Sequence, residues 1–171
     1  MNMKMTDLFA AELEREAKPS RRVMEKVPAG REDWKPHDKS MPLGRLAQLV
    51  ATMPSWVTMM VNQDELDIQP PGGSKFQPQA LRTSAELVQA VEETTRAARE
   101  ALAATTDEHL LTPWRLLVGG HVVQERPRHE MIRESINHLA HHRGQLTVYL
   151  RLNGAPVPSV YGPSADDASF A

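Results

Sequence analysis

Three of the chain's seven histidines fall in one short run, Asn137-His138-Leu139-Ala140-His141-His142-Arg143-Gly144-Gln145. On a helix, side chains four apart stand above one another on the same face. His138 and His142 can therefore both reach one divalent ion. His141 is turned about 100° from His142 and points elsewhere. The apolar face of this helix centres between Ile136 and Leu146, with the histidine pair on its flank and Arg143 close to its middle. A buried guanidinium needs partners, so Arg143 is expected to point into a polar pocket. Tyr149 lies one heptad after His142 on the same flank and is a further pocket candidate.

Two nitrogens do not complete a metal shell. Catalytic zinc has three protein ligands plus water, so a third must come from another segment, and His37, His121 and His129 are the candidates weighed among the four other histidines. The chain has no cysteine, which excludes thiolate ligands, cysteine nucleophiles and disulfides. The Glu-x-x-His motif of carboxylate di-iron bundles is absent from this helix. So is the His-Glu-x-x-His of zinc proteases.

The elements that must position these residues read as helical. A first helix is expected from about Asp7 to Lys26, kinked or broken at Pro19. Leu43, Leu46, Val50, Met53, Val57 and Met60 are spaced 3, 4, 3, 4, 3, a heptad seam suited to an antiparallel bundle. Leu49 and Trp56 flank that seam, Ser40 is its candidate cap, and Pro54 should bend the helix. Residues 68–80 form a Pro/Gly-rich linker long enough to cross the bundle. A third helix is expected from Ser84 to Thr105 and a fourth from Arg128 to Asn153, stopped by Gly154. Between them, Asp107 to Pro127 reads as irregular with room for a short element, because Gly119-Gly120 breaks any helix there. No alternating run supports a strand. The expectation is an all-α, four-helix bundle, up-and-down or with one crossover, in a single domain over residues 1–171, followed by an extended tail from Ala155.

Composition narrows the functions. Twenty basic and 22 acidic residues give a net charge of −2, with no basic cluster to hold nucleic acid. The apolar runs are too short to span a membrane. The first residues lack the apolar core of a secretory leader, and a soluble, cytoplasmic protein is expected.

Beyond these patterns, the run Ile136–Arg151 resembles the last helix of the DinB-like superfamily. The continuation Leu152–Asp166 looks like the tail of one of its subgroups, and Trp34–Ala47 is similar to that subgroup's loop and second helix. The resemblance implies a four-helix bundle, often a homodimer. It implies a zinc or nickel ion on three histidines, and transferase or isomerase chemistry on a small-molecule substrate using a low-molecular-weight thiol. Carried over by position, two ligands fall on His138 and His142. The third, from helix two, falls at Leu49, which cannot bind metal, while the adjacent Gln48 is a poor zinc ligand turned about 100° away. Two functions follow: a metal-dependent, thiol-using transferase or isomerase with a substitute third ligand, or a non-catalytic, small-molecule-binding bundle with a degenerate metal site.

Overall fold

The computed structural model describes residues 3–73 and 80–170. Within them lie six helices and three strands: α1 (Met5–Met24), α2 (Leu43–Thr52), α3 (Ser55–Asn62), β1 (Glu65–Asp67), α4 (Ser84–Ala103), α5 (Asp107–Leu110), β2 (Pro113–Val118), β3 (His121–Pro127) and α6 (Arg128–Leu152). Helix α1 packs on α4 and α6, and α2 and α3 pack on the same two. Residues 74–79, the middle of the expected linker, lie outside the described residues.

The heptad seam does what its spacing requires. All six of its residues, Leu43 to Met60, are buried to 5 % exposure or less. Pro54, however, separates α2 from α3 instead of bending one helix. It has no N–H to give, and the turn is carried by Trp56 N–H on Met53 O and Val57 N–H on Pro54 O. Pro19 has the opposite outcome. Helix α1 runs through it unbroken, with the ring buried in the packed face.

The helix ends show what local reading misses. Helix α1 starts two residues early because the Asp107 carboxylate accepts the N–H groups of Met5 and Thr6, at 2.9 and 3.1 Å. That satisfies two of the orphan donors every helix start exposes. Ser40 does not cap α2. The carbonyls of Trp34 and Glu32 accept the N–H groups of Leu43 and Gly44 instead. A side chain at Gly44 would meet Glu32 atoms at 3.1–3.2 Å, so the loop packs closely on this glycine and would have to give by a few tenths of an ångström to admit a Cβ.

The all-α expectation is corrected by a small sheet of order β1-β2-β3. Strand β2 pairs parallel with β1, Leu66 opposite Leu116, and antiparallel with β3, Trp114 opposite Arg126. Gly119 and Gly120 have φ of 61° and 80°, the positive values a two-residue hairpin turn needs at both positions. The pair closes a hairpin where a helix stop was expected. Asp67 holds the turn, accepting both glycine N–H groups and that of Gln69. These bonds keep its carboxyl below the usual aspartate range against the opposing effect of burial.

The core divides into two clusters. One gathers Leu46, Val50, Leu87, Leu146 and Leu150. The other gathers Phe9, Val57, Leu102, Trp114 and Ile132. Along α6, Ile136 belongs to the second and Leu139 to the first, so the histidine pair sits on the helix where the cores change over.

Candidate functional site

Helix α6 places His138 and His142 as their spacing requires. Their Nε2 atoms approach to 2.8 Å, with ring centroids 4.6 Å apart. His142 is buried to 9 % exposure, while His138 is exposed and meets the Trp56 ring edge-on at 5.4 Å. Desolvation holds the His138 imidazole below the usual histidine range, helped by the charges of His142 and His141.

Gln145 organises the cluster and was not singled out from the sequence. Its Oε1 lies 2.8 Å from His142 Nδ1 and its Nε2 lies 3.0 Å from His141 Nε2. With the amide nitrogen donating to His141, its oxygen accepts the proton of His142 Nδ1. His142 Nε2 therefore presents a lone pair to His138. The spacings that build this chain, three and four residues along α6, were legible in the sequence. What spacing could not show is that the amide joins both outer histidines.

The other named residues lie elsewhere. Arg143 is buried to 1 % exposure and faces α1. Its Nη2 donates to Glu16 Oε2 at 2.6 Å and to Tyr161 Oη at 2.5 Å; its Nη1 donates to Glu16 O and Ser20 Oγ. Tyr149 is buried, donates its hydroxyl to Met41 O at 3.2 Å and meets Trp34 edge-on at 5.6 Å. Leu49 lines a 770 Å³ cleft with Glu32, Arg45 and Thr52. His138 lines a different cavity, beside Trp56 and Trp114. The spare histidines are also placed apart. His37 Nδ1 accepts from Lys39 N–H, His129 Nδ1 donates to Leu110 O, and His121 begins β3.

The donor set fits a divalent ion in part. Two imidazole nitrogens converge, and the carbonyl of Gln145 fixes His142 as outer partners commonly fix metal-bound histidines. Among the described residues, no three His, Cys, Asp or Glu side chains stand close enough to share an ion. Nitrogens on one tetrahedral zinc stand about 3.3 Å apart, for bonds of about 2.05 Å. The observed 2.8 Å is a hydrogen-bond distance, so an ion would have to spread the rings.

Comparison with known proteins agrees on the fold. The DinB family model matches residues 1–169. An uncharacterised protein of Bacillus subtilis (strain 168), YrdA, is 41% identical over 44 residues, which span 26% of this chain and 26% of that relative's own length. A solved DinB-like protein from Bacillus cereus superposes with a TM-score of 0.67 at 22% identity, covering 90% of this chain and 95% of that one. A second, YjoA from Bacillus subtilis, superposes with a TM-score of 0.66 at 17% identity, covering 86% and 92%. At those identities the likeness concerns the fold alone.

Proposed function

The chain belongs to the DinB family, and from that premise we propose that His138 and His142 hold a zinc or nickel ion from one side, as part of a thiol-using transferase or isomerase acting on a small molecule. The observation that carries this reading is the convergence of the two Nε2 atoms, with Gln145 fixing the tautomer of His142. A bound ion of this kind supplies acidity, lowering the pKa of a coordinated thiol or water so that the anion forms at neutral pH. The chain's own part is to bring two imidazole nitrogens to one point, where the proton shared between them would have to leave for an ion to bind, and to leave the exposed side of His138 open to a substrate. With two protein ligands in place of three, the site binds more weakly than a complete one. A homodimer is proposed on the family resemblance, and light scattering of the purified chain checks it.

One observation favours a second reading, a bundle with a degenerate site. Leu49, at the position of the third ligand, lines a different cleft from His138, and the histidine pair is already satisfied by its own hydrogen bond. Zinc and nickel titrations followed by calorimetry separate the two. The metal reading expects one ion per wild-type chain, with binding weakened at least about tenfold, or 1.4 kcal/mol, in His142→Ala. Uptake by Leu49→His alone, with none by wild type, establishes the degenerate site. Equal affinity of wild type and Leu49→His removes it.

A further inference from the structure

The cluster on α6 holds a third imidazole. His141 is turned about 100° from His142 but only about 60° from His138, which stands between the two on the helix surface. The fold keeps all three rings together. Ring centres are 4.6 Å apart for His138 and His142, 5.1 Å for His141 and His142, and 6.4 Å for His138 and His141.

An ion shared by imidazoles imposes similar spacings. With bonds of about 2.05 Å, and about 1.2 Å more to each ring centre, two rings on one ion stand about 4.6–5.3 Å apart for angles between square and tetrahedral. Two of the three separations already lie in that range. The third, 6.4 Å, exceeds it by about 1 Å, and as the rings stand the three do not meet at one point.

Little holds His141 in its present direction. The residue is exposed, and among the described residues its one side-chain hydrogen bond comes from the Gln145 amide nitrogen, 3.0 Å from His141 Nε2. An exposed bond of this kind exchanges readily for water. Because His141 Nε2 accepts there, it carries the lone pair that a metal needs. Turning the ring about its own side-chain bonds exchanges the amide for an ion and closes the gap to His138. Gln145 keeps its hold on His142 through Oε1, and its freed amide, on an exposed residue, passes to water. No other element has to move. Glu134, one turn before His138, is the rival donor on this face, and Arg126 already engages it.

We propose that His141 is the third protein ligand, so that α6 alone supplies three histidines to a divalent ion and Leu49 has no part in the shell. The proposal rests on the metal reading above and deepens it. The fourth position of a tetrahedral ion then remains for water or a substrate atom.

The test adds zinc to the metal-free full chain and follows the histidine ring nitrogens by long-range nitrogen–proton NMR, each ring assigned by its loss in a single-residue variant. One equivalent should move the signals of His138, His141 and His142 and leave those of His37, His109, His121 and His129 in place. In calorimetry His141→Ala should bind zinc at least about tenfold more weakly than wild type, the least that even an outer-shell partner is worth. Without metal it should melt within about 2 °C of wild type, as a surface substitution does. Zinc that moves the His138 and His142 signals but not that of His141 overturns the proposal and leaves the two-ligand reading standing. So does equal affinity of His141→Ala and wild type. Weakening by Glu134→Gln in place of His141→Ala gives the third position to the carboxylate and equally overturns it. If zinc moves none of the three histidines, both readings fall.

Discussion

His142 and Arg143 are neighbours on α6, yet they serve polar clusters of opposite kinds. Arg143 points inward to Glu16, Ser20 and Tyr161, where every partner is supplied by the chain and the guanidinium is 1 % exposed. His142 points to His138 and Gln145, at a cluster open to solvent on its His138 side. One residue of helix turns a side chain by about 100°, enough to move from a closed cluster to an open one. The closed cluster ties the tail to the bundle, because Tyr161 donates to Glu16 and lies against the Arg143 guanidinium, 5.1 Å from its ring centre. The open cluster ties nothing together. A charge enclosed by an ion pair within the fold, as the Arg143 guanidinium is apart from its unpaired Nε, is a structural part; a side chain left facing a cavity or solvent is available for chemistry.

The sharpest break in that contrast is Arg143→Ala. It leaves Glu16 buried without its cation and should cost about 3–5 kcal/mol in urea unfolding, the usual penalty for stranding one member of a buried pair. Replacing both members, Glu16→Leu with Arg143→Met, should recover most of that loss. Full destabilisation in the double variant would show that Arg143 works through its contacts to Ser20 and Tyr161 and not through the pair.

Tyr161→Phe comes next. It removes one hydroxyl from the closed cluster and should cost about 1–2 kcal/mol. It should also make the tail more sensitive to proteolysis, since Tyr161 is where the tail meets Glu16 and Arg143.

A smaller effect separates the clusters by pH. Asp167, whose carboxyl is held down to about 2 chiefly by bonds from Ser169 and the Ser159 N–H, also pairs with Arg22. Its contribution to stability is complete above the ordinary aspartate range and is lost as pH falls towards about 2. Asp167→Asn should flatten that acid limb of the stability profile.

For His138, whose imidazole is held below its ordinary value, the unfolded chain takes up the proton first. The metal-free protein should therefore lose stability as pH falls below about 6.5, and His138→Gln should lose that part of the slope. At neutral pH the same substitution, on the exposed side of the pair, should change stability by less than about 0.5 kcal/mol. A larger loss would move His138 from the open cluster to the structural one.

Helix spacing and side-chain chemistry were local properties, and they were readable. The seam from Leu43 to Met60, the meeting of His138 with His142 and the inward face of Arg143 all follow from 3.6 residues per turn. Long-range partners were not readable. Asp107 starting α1, Glu16 neutralising Arg143, and the Arg128 guanidinium bound to Met60 O, Pro113 O and Asp64 join residues 50 to 130 positions apart or cross between elements. No spacing rule records such pairs. The sheet went unseen for a related reason. Gly119-Gly120 carries a hairpin signal as well as a helix-stop signal, and only the pairing of β2 with both β1 and β3 selects the first.

The same division holds for the histidines with which the chain's chemistry began. The amino-acid order put two imidazoles on one helix face, because helix spacing is local. Folding determined that His142 is fixed by Gln145, that His138 ends an apolar cavity, and that Leu49 faces a different cleft. Those outcomes depend on how the sheet and α3 pack across α6, and packing is a property of the whole chain.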